Sequence, residues 1–119
     1  MTERGPGFVV LYRWKWRAGA EASFVEAWSR ISALLLEQRG SLGSRLHRGS
    51  DGLWYSYAQW PSAEARSKAL AAGPVDAATS EQMQAAIEEN LPEIALESYS
   101  DSIVSPHGAG RALSEATRA

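Results

Sequence analysis

WYSYAQWPSAEA, residues 54–65, decides how the rest of the chain is read. The first seven residues, Trp54 to Trp60, are rich in aromatic side chains and contain neither Gly nor Pro, the composition of a strand. Pro61 cannot donate to a strand ladder, so the strand stops there. Ser62 then stands where a helix N-cap belongs, ahead of SAEARSKALAAG (62–73). A ring-laden strand running directly into a capped helix points to a sheet with helices packed on it. It also raises a question about Trp60, which ends the strand: core anchor, or wall of a site.

Working outward, SLGSRLHRG (41–49) precedes this strand and SD separates the two, so 41–60 reads as a hairpin. With Ser50-Asp51 as a two-residue tip, Arg48 opposes Leu53, Leu46 opposes Tyr55 and Ser44 opposes Tyr57. That register gathers Gly43, Arg45, His47, Trp54, Ser56, Ala58 and Trp60 on one face. FVVLYRWKWR (8–17) reads as a first strand. Phe8, Val10, Tyr12, Trp14 and Trp16 line its fully apolar face; Val9, Leu11, Arg13, Lys15 and Arg17 line the other. The three cations are expected at a solvated strand end or paired with acids such as Glu97 or Asp101. Over 18–40 the period changes to that of a helix, with Phe24, Trp28, Ile31 and Leu35 as the buried stripe and Gly40 as the stop. After Gly73-Pro74 a further helix is predicted over 77–90, with Met83, Ile87 and Leu91 at helical spacing, and a last strand over 95–104.

The resulting order, β-α-β-β-α-β, is that of a ferredoxin-like α+β domain: a four-stranded antiparallel sheet with helices on one face. The uncovered face would carry Val9, Leu11, Leu42, Leu46, Leu53, Tyr55 and Tyr57. That is too much apolar surface to leave in water, so a second copy of the chain is expected over it, a homodimer about a two-fold axis. The domain is placed at 8–104, between a disordered N-terminus (1–7) and a flexible tail (105–119).

The chain has 119 residues, 45% hydrophobic and 22% charged, enough for one domain with a real core. A net charge of −2 gives no basic field for a nucleic acid backbone. No apolar run approaches the roughly 20 residues that span a bilayer, so no membrane partner is expected. Cysteine is absent, which excludes disulfides and thiolate chemistry and fits a cytoplasmic protein. His47 and His107 are the only imidazoles and lie far apart in sequence, so no metal or other cofactor is expected.

The stretches SDGLWYSYAQWPS, GSLGSRLHR and WKWRAGAE resemble the antibiotic biosynthesis monooxygenase family over about residues 8–104. The resemblance implies a ferredoxin-like domain that dimerises face to face into a shared α/β barrel. It also implies one of two chemistries. Quinone-forming members oxidise phenolic polyketides with O₂ and neither metal nor flavin, and carry Asn, Trp, Tyr and Arg in their pocket. Here the Trp falls on Trp60, but the Asn falls on Ser56, the Tyr on Arg66 and the Arg on Ser80. Haem-degrading members use an Asn that falls on Tyr12, and a Trp and an axial His on the helix after the third strand. The helix SAEARSKALAAG has neither, so haem degradation is not supported.

Cofactor-free oxygen chemistry needs an aromatic clamp, a donor to a developing oxyanion and a base. Trp60, Ser56 and His47 could fill those roles, with Arg66 supplying a cation and Arg45 positioning a phenolate. Tyr12, Trp14, Trp28 and Trp54 would form aromatic walls around a small aromatic ligand. Each has a plainer reading: the rings as dense core, His47 as a solvated hairpin residue, Arg66 as a surface cation. The competing function is a non-catalytic small-molecule binding or accessory protein on the same fold.

Overall fold

The computed structural model describes residues 7–103. The expected N-terminal segment, apart from Gly7, and the expected C-terminal tail lie outside the described residues. The elements are β1 (Phe8–Trp16), α1 (Glu21–Gln38), β2 (Gly43–Arg48), β3 (Trp54–Trp60), α2 (Ala63–Ala71), α3 (Ala77–Ala85) and β4 (Ile87–Glu97). The sheet is antiparallel throughout, ordered β2-β3-β1-β4, which is the ferredoxin-like α+β arrangement expected. Among the described residues no helix is long and apolar enough to cross a membrane.

Local chemistry explains the boundaries. Phe24 of the α1 stripe is fully buried, whereas Trp28, Ile31 and Leu35 are half-buried. Gly40, at φ +82°, lets the chain leave α1, and the Ser41 N–H returns to the Leu35 carbonyl. Ser62 caps α2 as its sequence implied, accepting from the Ala65 N–H at 3.0 Å. Arg39 ties the two helix ends together, donating to the Ala69 and Gly73 carbonyls at 2.9 and 2.8 Å.

Two expectations are corrected. The second helical segment ends at Ala85, and the last strand is Ile87–Glu97, not 95–104. Ile87 and Leu91 therefore belong to the sheet. The Leu91-Pro92 step disfavours helix, and β1 needs a partner along its whole length. As an edge strand β4 tolerates Pro92, which sits in a bulge: Leu11 pairs with Ile94 but Arg13 with Leu91, so Pro92 and Glu93 together oppose Tyr12. The strand-end cations bind here rather than to Glu97 or Asp101. Arg13 donates to the Pro92 carbonyl at 3.1 and 2.8 Å, Lys15 lies 3.5 Å from Glu88, and Arg17 donates to the Ala85 carbonyl.

The second correction concerns the hairpin. Its tip has three residues, Ser50-Asp51-Gly52, with Gly52 at φ +87° and its N–H bonded to the Gly49 carbonyl. The extra residue is the glycine bulge that right-handed strand twist favours in a three-residue loop. It moves the register by one: Arg48 opposes Trp54, Leu46 opposes Ser56, and His47 and Arg45 oppose Tyr55 and Tyr57. Leu46 thus joins the helix-side core, while Arg45 and His47 move to the open face, both exposed.

Candidate functional site

The helix side of the sheet has three parts with different character. At one end Trp14, Trp16 and Phe24 are buried, with Phe24 stacked on Trp16 and tilted against Trp14. Trp16 lies 4.0 Å from Trp54 at an interplanar angle of 5°, and 4.1 Å from Phe24; Trp14 lies 4.8 Å from Phe24. Arg48 covers the outer side of Trp54, 5.5 Å from its ring. This end is solid core, so Trp14 and Trp54 pack against protein side chains and do not stand as walls of a pocket.

The middle is polar. Tyr12 and Ser56 are direct cross-strand partners, with Leu46 beyond Ser56 and the β4 bulge beyond Tyr12. Each hydroxyl accepts one hydrogen bond from a helix. The Trp28 indole N–H of α1 donates to Ser56 Oγ at 3.0 Å. Arg66 Nη2 of α2 donates to Tyr12 Oη at 2.9 Å. Arg66 in turn holds Glu93 of β4 fork to fork, Nη1 to Oε2 at 2.7 Å and Nη2 to Oε1 at 3.0 Å. Its side chain is only 13% exposed, so it is no solvated surface cation. Burial lifts the Tyr12 phenol above its ordinary range, against the opposing pull of Arg66. Tyr12 therefore keeps its proton. Glu93, hydrogen-bonded to Arg66, holds the guanidinium protonated despite its burial.

Trp60 belongs to a third group. It is 3% exposed and packs with Val10 and Ala69, bordered by Phe8, Tyr12, Leu35 and Ala65. Among the described residues, neither its indole N–H nor Arg66 Nε finds a hydrogen-bond partner. An open groove of about 450 Å³ lies past Trp60, lined by Phe8, Pro61, Ser62 and Glu97 among others, and none of the predicted aromatic walls reaches it.

Of the residues singled out from the sequence, Tyr12, Trp28, Ser56 and Arg66 come together, and Trp60 borders them through Tyr12. Trp14 and Trp54 fall in the solid core, and His47 and Arg45 are on the other face of the sheet. The residue missed is Glu93. Read as lying between a helix and the last strand, it carried no signal; the Pro beside it, marking an edge-strand bulge, was the available one. Among the described residues no cluster of His, Cys, Asp and Glu could hold a metal ion.

No protein-family model matches the chain, and no curated protein matches it in sequence. Solved structures do. SnoaB, a cofactor-independent oxygenase from Streptomyces nogalater, is 20% identical; the match covers 84% of this chain and 98% of SnoaB with a TM-score of 0.62. Rv0793 from Mycobacterium tuberculosis is 14% identical, with 83% and 100% covered and a TM-score of 0.65. A Chloroflexus aurantiacus protein provisionally named an antibiotic biosynthesis monooxygenase is 9% identical, with 83% and 99% covered and a TM-score of 0.66. The likeness is one of fold. The name that the Chloroflexus protein carries is that of the family which the YAQWPS stretch resembles.

Proposed function

We propose that the protein is an oxygenase that oxidises an aromatic phenolic metabolite with O₂, using neither metal nor flavin, at the Tyr12–Ser56 centre. The observation that carries this is the paired hydroxyls. Each accepts an N–H, from Arg66 or Trp28, and each keeps its own proton to give to a ligand oxygen. Two such donors on neighbouring strands, with a cation behind one of them, stabilise an oxyanion as it forms. The substrate does the redox chemistry: its phenol or anthrone anion gives an electron to O₂, the two radicals combine at carbon as a peroxide, and this takes up a proton and breaks its O–O bond with loss of water to leave the quinone carbonyl. The substrate's own proton leaves to solvent, because His47 is on the wrong face to take it. Trp28 and Tyr12, both half-buried, supply flat apolar surface for the ring system, and Trp60 supports Tyr12 from the core. The fold shared with SnoaB, itself a cofactor-independent oxygenase, supports this reading.

The same proposal includes a homodimer. Ile94 and Leu96 are each 40% exposed on the open face, beside half-buried Leu11, Tyr55 and Tyr57, and a second copy covers them.

The closed stack of Trp14, Trp16, Phe24 and Trp54 favours a second reading, a binding or accessory protein whose aromatic content is core. Oxygen uptake separates the two. With a panel of anthrones and hydroquinones and no added metal or flavin, uptake should exceed the spontaneous rate. It should fall in Ser56→Ala, Arg66→Ala and Trp60→Phe, but not in His47→Ala. Uptake no faster than buffer across the panel would sink the oxygenase reading and leave the binding protein.

A further inference from the structure

Arg66 is held in a way that an anion-binding arginine need not be. Both of its terminal nitrogens are bonded by the Glu93 carboxylate, so part of its charge is offset before it reaches the Tyr12–Ser56 centre, where Arg66, in direct contact with Tyr12, still has the larger effect. The other side chains beside Tyr12 and Ser56 are uncharged: Trp14, stacked on Tyr12 at 5.8 Å, Leu46, paired with Ser56 across the hairpin, and Trp28, which donates to Ser56. A carboxylate brought here would gain attraction from Arg66, weakened by repulsion from the Glu93 carboxylate bonded to it. It would still lose its hydration. A neutral phenol loses far less on leaving water and makes the same hydrogen bonds with the two hydroxyls.

We propose that Glu93 is a specificity-determining residue: by offsetting part of the Arg66 charge it makes the Tyr12–Ser56 centre select uncharged phenolic ligands over aromatic carboxylates of the same size. The inference rests on the reading above in one respect, that the ligand's oxygen meets Tyr12 and Ser56. It does not require that oxygen be consumed. The Glu93 side chain is 42% exposed, so solvent screens part of its field. Removing that charge should therefore tighten carboxylate binding by about tenfold, not by the far larger factor of a dry site.

The test is ligand binding by the full chain, followed calorimetrically near neutral pH. The probes are 1,8-dihydroxyanthraquinone and anthraquinone-2-carboxylate, two flat tricyclic molecules that differ in charge. The wild type should prefer the dihydroxy compound. Glu93→Gln should bind the carboxylate about tenfold more tightly and the neutral probe within about twofold of wild type. Glu93→Asp, which keeps the charge, should restore the wild-type order. Arg66→Gln, leaving Glu93 unopposed, should bind the carboxylate still more weakly, and it decides the matter if Glu93→Gln fails to fold. A carboxylate preference in the wild type, equal changes for both probes, or no binding of either probe would each overturn the proposal. Oxygen uptake is measured separately. A protein that consumes no oxygen yet shows the charge switch retains this inference and loses the oxygenase reading; uptake without the switch does the reverse.

Discussion

The Trp28–Ser56 hydrogen bond joins α1 to the middle of the sheet, and a double-mutant cycle measures what it is worth. Ser56 is 2% exposed and accepts the indole N–H at 3.0 Å. Ser56→Ala leaves that N–H without its acceptor. Trp28 is half-buried, so water can replace the acceptor in part, and the loss should be about 1–2 kcal/mol. Trp28→Phe leaves the Ser56 hydroxyl, at 2% exposure, without its donor and removes part of a ring. It should cost more, about 2–3 kcal/mol. The double variant has neither polar group left to strand. Its cost should fall short of the sum by about 1 kcal/mol, the coupling energy of a neutral hydrogen bond. The assay is urea unfolding followed by far-ultraviolet circular dichroism, since tryptophan fluorescence itself changes in two of the four proteins. The slopes should agree across the cycle, so that midpoints report stability. A coupling below about 0.3 kcal/mol would refute the reasoning, because distant, non-interacting sites add to within that margin.

Two further outcomes follow from the same geometry. Burial sets the Tyr12 phenol above its ordinary 10.0, so folding favours its neutral form. The stability this contributes is whole below about pH 10 and is lost as pH rises through the folded value. Between about pH 8 and pH 11 the unfolding midpoint of Tyr12→Phe should therefore fall less than that of the wild type, and parallel falls would contradict the assignment. Leu11→Arg, on the open face opposite Ile94 and Tyr57, should convert a dimer to a monomer by sedimentation with helix content unchanged; an unaltered mass would move the interface elsewhere.

The sheet's two central strands and the first two helices were legible because their signals are local. Rings and β-branched residues mark β1 and β3, a stripe led by Phe24 marks α1, and Pro61-Ser62 marks the start of α2. The errors share one physical origin, the competition between local pattern and tertiary pairing. Met83, Ile87 and Leu91 fit a helical period, but sheet pairing to β1 overrides it after Ala86. In the hairpin, parity within each strand was right, and Trp54, Ser56 and Trp60 face the helices as expected. Only the count of tip residues was wrong, with Gly52 as the overlooked sign of a third. Because side chains alternate, that single residue carried His47 and Arg45 through the sheet to its other side and took the proposed base from the site. Glu93 was invisible for a related reason: its importance comes from a bulge that places it opposite Tyr12.

The β4 bulge bears also on what the protein avoids. A sheet of four strands has two open rims, and an unguarded rim is a template on which other chains can zip up into fibrils. Along this rim Pro92 withholds an N–H, the bulge breaks the regular spacing, and Glu88, Glu89, Glu93 and Glu97 would set like charges against any incoming copy. A fifth strand is thus turned away at this margin of the sheet.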